Sequence, residues 1–192
     1  MSIYHVEASD TIVLFADLQE GIADLPLTIP IEQLKKGVLN LAKLAKLFDI
    51  PAIVTGIQMG ADAPKVLAES EEGMGQLPVH IRTTADAFRN DKIAAAIKES
   101  GRKTILISGV ATELAVQLPA LAGVDLGYRT FVVIDACGGT SERTEQAALQ
   151  QIAAHGGSTI CVMTLAGELA GDFREEKAQQ ALGILFSMAN SA

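Results

Sequence analysis

The sequence predicts an α/β protein in which helices cover both faces of a six-stranded, mainly parallel β-sheet, a three-layer Rossmann-like architecture. Short β-branched and aliphatic runs such as 104–108 are typical of parallel strands that are buried on both faces. These runs alternate with longer segments whose apolar residues recur at helical spacing, such as 31–47. Hydrophobic residues make up 49% of the chain but aromatic residues only 4%, with no Trp, so Ala, Val, Ile and Leu are expected to build the core.

Length and charge limit the classes of function. A chain of 192 residues without a Pro-, Ser- or Gly-rich linker is expected to form one domain over 1–192. The formal net charge of -8 and the lack of a Lys/Arg cluster leave no basic face for a phosphate backbone, so nucleic acid is not an expected partner. No basic stretch followed by an apolar run opens the chain, and no apolar run is long enough to span a bilayer. We therefore expect a cytoplasmic protein without a membrane partner.

The first strand, helix and second strand are predicted from apolar patterning. The run 11–16 is apolar after Thr11 and predicts a strand. Residues 31–47 form an amphipathic helical pattern that stops before Pro51, because the residue preceding a proline disfavours helix. The strand predicted at 52–55 follows a crossover long enough to contain this helix, so it should pair in parallel with the first.

The next part of the chain is less regular. Residues 60–78 contain several Gly and Pro and show weak periodicity, which predicts an irregular excursion with one short helix near 65–68. A third short strand is predicted at 79–82 and a helix at 91–100.

The strand at 104–108 is followed by Gly109 and then by a helix that Thr112 opens. Such a strand-to-helix turn lies at the carboxyl edge of a parallel sheet, where ligands of α/β proteins bind. Pro119 falls within the helix and is expected to kink it.

The last part of the chain continues the alternation of predicted strands and helices. A fifth strand is predicted at 129–134, a helix at 142–155 and a sixth strand at 158–163. The tail at 168–188 has a helical apolar face that is expected to dock either on the body of the protein or on a neighbouring subunit.

The segment 109–116, G-V-A-T-E-L-A-V, together with Gly127-Tyr128 and the run V-I-D-A at 133–136, resembles the isochorismatase-like hydrolases. This superfamily includes nicotinamidases and other cysteine hydrolases. The resemblance extends to L-F-A-D-L-Q at 14–19 and D-A-F at 86–88, and it covers nearly the whole chain. It implies the strand order 3-2-1-4-5-6 and assembly into a homo-oligomer.

The catalytic residues that the resemblance implies are only partly present. The position of the family's catalytic Asp falls on Asp17, that of its Lys on Arg82 and that of its nucleophilic Cys on Ala115. The resemblance also implies an oxyanion hole made by the backbone N–H groups of Ala111 and Ala115, with a non-proline cis peptide between Val110 and Ala111. A methyl group cannot attack a carbonyl, and Arg keeps its charge where Lys can exchange a proton.

Asp17 and Arg82 each end a predicted strand at the same sheet edge, so their side chains are expected to converge. Two arrangements are open: an ion pair between them, or a guanidinium that clamps a carboxylate of the substrate. Burial would raise the pKa of Asp17 and Arg82 would lower it, and the sequence does not settle the balance.

Two functions remain open at this point. The first is a hydrolase that acts on a small, anionic or carbonyl-bearing molecule with Asp17 as acid or base and without covalent catalysis, as in true isochorismatases, which cleave a vinyl ether. The second is a catalytically silent relative that binds a small ligand or serves as an assembly subunit. An open pocket containing Asp17 and Arg82 would favour the first, and a filled one the second. Attack by Cys137 from a displaced position is a third, weaker interpretation.

Neither a metal nor a cofactor is expected. The two Cys and three His are scattered without zinc-ligand spacing, and residues 55–60, T-G-I-Q-M-G, lack the D-x-H-x-x-H feature of many nicotinamidases. Without a secretory signal, the two Cys are not expected to form a disulfide.

Overall fold

A six-stranded parallel sheet lies at the centre of the protein, in the order β3-β2-β1-β4-β5-β6. The computed structural model describes residues 5–189. The strands are β1 (Thr11–Ala16), β2 (Ala52–Ile57), β3 (Val79–Arg82), β4 (Thr104–Val110), β5 (Arg129–Gly138) and β6 (Ser158–Ile160). Each neighbouring pair runs parallel, and β1 lies between β2 and β4. The predicted strand order and the central position of β1 are therefore confirmed.

Helices pack on both faces of this sheet, as predicted. They are α1 (Ile31–Leu47), α2 (Ala68–Met74), α3 (Asp91–Glu99), α4 (Gln117–Asp125), α5 (Glu142–Ala154), α6 (Val162–Ala170) and α7 (Glu176–Ala189). In β1, Val13 and Phe15 join a core shared with α1, α6 and α7, while Ile12 and Leu14 join a second core shared with α3, α4 and α5. This alternation follows from the two-residue period of a strand, whose side chains point to opposite faces in turn.

Two predicted strand boundaries at the end of the sheet are wrong. β5 continues to Gly138, past the predicted end at 134, and β6 stops at Ile160 although an apolar run continues to 163. Residues after Cys161 form α6 because two side chains cap its first turn. The Asp135 carboxylate accepts hydrogen bonds from the Val162 N–H at 2.9 and 3.1 Å, and the Cys161 thiol accepts one from Thr164.

The short helix predicted near 65–68 lies further along the chain, as α2. α2 includes Gly73, which local propensity disfavours in a helix. A Cβ at Gly73 would approach the Cβ of Ala42 to 2.3 Å, so the glycine permits close packing of α2 on α1. The packing of α2 on α1 therefore outweighs the low helix propensity of Gly73.

The tail forms two helices, α6 and α7, with a break between them, where one helical stretch was predicted. Ala178 and Ala181 of α7 are buried in the first core, so this helix docks on the body of the protein. Pro119 lies in the first turn of α4, where a missing N–H costs little, and a π-helical turn at Thr112–Val116 precedes this helix.

Within residues 5–189, no helix combines the length and the apolar character needed to cross a membrane. The cytoplasmic location stays a prediction.

Candidate functional site

Asp17 follows β1 at the carboxyl edge of the sheet. Its backbone has φ of 56°, in the left-handed region that Asp enters more readily than most residues. The Asp17 N–H donates a hydrogen bond to the Thr55 carbonyl at 3.2 Å, and the Thr55 hydroxyl donates to Asp17 Oδ1 at 3.3 Å. The end of β2 therefore holds both the backbone and the side chain of Asp17.

Arg82, the last residue of β3, forms an ion pair with Asp17. Its Nε donates to Asp17 Oδ1 at 3.1 Å, and its Nη2 donates to Oδ2. Its Nη1 donates to the Thr84 carbonyl. The side chains of Arg82 and Asp17 are only 1% and 2% exposed. Of the two arrangements that the sequence leaves open, the structure has the ion pair, in the two-pronged form that guanidinium and carboxylate groups favour.

Burial raises the pKa of Asp17 above its ordinary value, while the charge of Arg82 and the hydrogen bonds from Arg82 and Thr55 lower it. The burial effect is the largest, and the net direction is upward.

Ala115 lies in the turn that follows β4. The peptide bond between Val110 and Ala111 is cis, as the resemblance implies. The N–H groups of Leu114 and Ala115 both donate to the Ala111 carbonyl, each at 3.0 Å. Ala115 is 2% exposed, so its methyl group is buried. Its N–H is thus engaged within the turn, and the oxyanion-binding role of Ala111 and Ala115 stays a prediction.

Glu113 ties this turn to the loop between β5 and α5, a role that the sequence analysis missed. Its Oε1 accepts hydrogen bonds from the Thr140 N–H at 3.0 Å, the Thr140 hydroxyl and the Thr144 hydroxyl at 2.9 Å. Burial raises the pKa of Glu113, but these hydrogen bonds outweigh it and the net direction is downward. The neighbouring Thr112 hydroxyl donates to Glu145 at 2.7 Å. The sequence indicated this contact only through the polar character of Glu113, Thr140 and Thr144.

The sequence patterns also gave no indication of the structural role of Gln19. Its amide Nε2 donates to the Ile57 carbonyl at 2.9 Å, and its Oε1 accepts from the Ile57 N–H at 2.8 Å. This pair of hydrogen bonds joins the segment after β1 to the end of β2, so it fixes the backbone on which Asp17 stands.

Two cavities flank the Asp17–Arg82 pair. One of about 290 Å³ is lined by Thr84 and Leu118 among others, and one of about 240 Å³ lies beside Gln19. Neither of these two cavities is lined by Asp17, Arg82 or Ala115. The ion pair is thus enclosed by protein atoms in the single subunit.

Cys137 lies near this edge but is buried. It is the last residue but one of β5 and is level with Gly109 of β4, yet it belongs to the second core, and its Sγ donates to the Ile107 carbonyl at 3.7 Å. Burial raises the pKa of its thiol, so the thiolate that attack requires is disfavoured. Cys137 and Cys161 are both free thiols. Among residues 5–189, no group of three or more His, Cys, Asp or Glu side chains is placed to hold a metal ion.

The architecture and the position of the site define a doubly wound α/β protein whose candidate site lies at the carboxyl edge of its strands. Residues 11–164 match the family model described as the isochorismatase domain. That match covers more than half of the chain, and the chain therefore belongs to the isochorismatase family.

Relatives agree with this assignment. The chain is 33% identical over 184 residues to the probable hydrolase YcaC of Escherichia coli, an alignment that covers 95% of this chain and 87% of the relative. A solved structure of E. coli YcaC, described as an octameric hydrolase of unknown specificity, superposes with a TM-score of 0.89 at 30% identity, over 98% of this chain and 92% of that one. YcaC from Pseudomonas aeruginosa, solved with hexane-2,5-diol and covalent acrylamide, also gives 0.89, at 29% identity over 99% and 96%.

Proposed function

We propose that this protein is a catalytically silent member of the isochorismatase family that serves as a subunit of a homo-oligomer. One observation carries the proposal. Asp17 is held by Arg82 in a buried, two-pronged ion pair, and the position that the family resemblance gives to a nucleophile carries the methyl group of Ala115.

Covalent chemistry lacks a nucleophile at this edge. Ala115 has no atom that attacks a carbonyl, and the thiol of Cys137 is buried in the core. Arg82 keeps its charge under ordinary conditions, so it does not take over the proton exchange of a lysine.

Acid catalysis by Asp17 is opposed by its contacts. A general acid carries a proton at the working pH, whereas both oxygens of Asp17 accept hydrogen bonds from Arg82, a group that only donates. These contacts favour the ionised carboxylate. The Asp17 side chain is only 2% exposed in the single subunit, so a substrate reaches it only if the ion pair opens.

A second candidate function is non-covalent hydrolysis of a small, anionic or carbonyl-bearing molecule with Asp17 as acid or base. It is favoured by the raised pKa of Asp17, which burial produces against the effect of Arg82. It requires the ion pair to open when the substrate binds.

The assembly role draws on the relatives and on the surface. E. coli YcaC is described as octameric, and this chain is 30% identical to that structure over nearly its full length. Several large apolar side chains stay exposed on the single subunit, including Met59, Leu114, Phe173 and Phe186. Exposed apolar side chains of this size are common at protein interfaces, where contact with another subunit covers them.

The proposal is tested by restoring the missing groups. The starting variant is Cys161→Ser, which removes the more exposed thiol and leaves a hydroxyl to cap α6. On that background we compare Ala115→Cys with Ala115→Cys/Arg82→Lys, using mass spectrometry to follow addition of acrylamide. We expect addition at position 115, faster with Lys at position 82 because Lys can exchange a proton. The Cys161→Ser variant alone is the control and should stay unlabelled.

The native chain is assayed in parallel on a panel of small amides, esters and vinyl ethers, and no turnover is expected. Turnover by the native chain would overturn catalytic silence, and its loss in an Asp17→Asn variant that circular dichroism shows to be folded would establish the second candidate. Turnover that survives Asp17→Asn would contradict both candidates.

A further inference from the structure

A third cavity lies at the opposite, amino-terminal edge of the sheet. It has a volume of about 450 Å³ and is bounded by α3 and by the residues that immediately precede β4 and β5. Asp17, Arg82 and Ala115 belong instead to the carboxyl edge, so this cavity is separate from the site described above. Its volume falls within the range of known small-molecule sites.

The body of this cavity is apolar. Phe88, Ala94, Leu126 and Tyr128 line it. The rings of Phe88 and Tyr128 lie 5.9 Å apart between centroids and are tilted by 33°. The chain has only six Phe and two Tyr and no Trp, so two of its few aromatic side chains stand together here. Leu126 is 62% exposed and supplies an apolar rim.

The charged groups of the cavity are both cations. Lys98 near the end of α3 and Lys103 before β4 are the charged residues that line it. Neither ammonium takes part in any of the ion pairs found across residues 5–189. In a chain with a net charge of -8, two unpaired cations beside an apolar cavity mark a local reversal of charge.

We propose that this cavity binds a small aromatic carboxylate, whose ring packs against Phe88, Tyr128 and Leu126 and whose negative charge lies between Lys98 and Lys103. An apolar wall gives affinity to the ring, and the two ammonium groups select an anion over a neutral ligand of the same shape. The inference is independent of whether the Asp17 site is catalytic.

The test uses three probes on the full chain. The anionic dye 1-anilinonaphthalene-8-sulfonate gives a fluorescence titration, N-phenyl-1-naphthylamine is its uncharged counterpart, and benzoate is the competitor. We expect one saturable dye site per subunit that benzoate displaces and that weakens as salt is added. We also expect the anionic dye to bind at least about tenfold more tightly than the neutral one, a factor worth about 1.4 kcal/mol.

Variants separate charge from shape. The double variant Lys98→Met/Lys103→Met keeps the length of both side chains. It is expected to weaken binding of the anionic dye about tenfold or more and to leave the affinity for the neutral dye unchanged. Lys92→Met is the matched control, because Lys92 is exposed on the same helix α3 and does not line the cavity. Ala95→Phe, at an exposed lining position, should exclude both dyes by filling the cavity.

Equal affinity for the two dyes, or equal loss in Lys92→Met and in the double variant, overturns the proposal. Failure of benzoate to displace the dye also overturns it. Dye that binds only after dilution has separated the subunits would show instead that a second copy of the chain covers the cavity, and it too refutes the proposal.

Discussion

At the scale of single residues, Arg82 is the least expected feature of the protein. Among the residues that the structure describes, Arg82 is the largest side chain that is fully buried, yet it carries a charge. Taking a guanidinium and a carboxylate out of water costs several kcal/mol per ion, and their attraction offsets this only when the remaining hydrogen bonds are made. Here the Thr55 hydroxyl donates a hydrogen bond to Asp17, and the Thr84 carbonyl accepts one from Arg82. The pair is therefore satisfied as a unit, and the loss of one member leaves the other uncompensated.

This leads to a prediction on stability. Arg82→Met and Asp17→Asn should each lower the free energy of unfolding by about 3–5 kcal/mol, because each leaves a charged or polar partner buried without its counterpart. The double variant Asp17→Asn/Arg82→Met should be more stable than the sum of the two losses implies. Urea unfolding followed by circular dichroism measures all three.

The control for this series is Arg89→Met, since Arg89 pairs with Asp86 at 3.9 Å but is 78% exposed. Arg89→Met should lower the free energy of unfolding by less than about 1 kcal/mol. Strict additivity of Asp17→Asn and Arg82→Met would show that the two side chains do not act as a pair.

At the scale of secondary-structure elements, the close contact of α1 with β5 is decisive. Gly37 in the middle of α1 is buried, and a Cβ at this position would lie 1.8 Å from the Asp135 carbonyl oxygen. The helix therefore rests directly on the backbone of the strand. The same strand carries the Asp135 carboxylate that caps α6, so α1, β5 and α6 depend on one another.

Gly37→Ala should consequently destabilise the protein by about 1–3 kcal/mol, because backbone atoms on both sides of the contact have to move. Gly183→Ala in α7 is the matched helical control, since an added Cβ there meets no atom within 4 Å. We expect Gly183→Ala to be neutral or to stabilise by up to about 1 kcal/mol, as helix propensity requires. Urea midpoints of the two variants decide the matter, and equal midpoints would mean that α1 shifts freely on the sheet.

At the scale of the whole molecule, α7 closes one face of the protein and leaves an apolar surface of its own. Ala178 and Ala181 pack into the first core, and Lys177 pairs with Asp49 at 2.9 Å. Phe186 on the same helix stays 59% exposed. An aromatic side chain on the outside of a docked helix is typical of a surface that contacts another subunit.

We expect Phe186→Asp to shift the protein from its assembled form to smaller species in sedimentation velocity at micromolar concentration, because the change places a charge in an apolar contact. Gln180→Asp introduces the same charge at an exposed position of α7 and should leave the sedimentation profile unchanged. A wild-type protein that sediments only as a monomer would remove the assembly role, and an unchanged Phe186→Asp profile would place the interface elsewhere.

The sequence alone was sufficient for most of the framework. The predicted bounds of β1, β3 and α1 coincide with the observed ones, because apolar runs and amphipathic periodicity are local properties of the chain. α2 and α6 were misplaced because their limits depend on distant contacts. Gly73 is accommodated by Ala42, and the first turn of α6 is capped by Asp135, 27 residues away from Val162.

The candidate site, too, was predicted from the sequence only in part. Strand ends and the family resemblance were enough to place Asp17 and Arg82 at one edge of the sheet and to identify Ala115 as the position without a nucleophile. Only the tertiary structure decided that Arg82 holds Asp17, across 65 residues of sequence, and that Cys137 lies in the core. It also decided the direction of the Asp17 pKa shift, in which burial outweighs the charge of Arg82. These outcomes depend on distances and burial that arise only when β1, β2 and β3 pair, and no local pattern of residues encodes them.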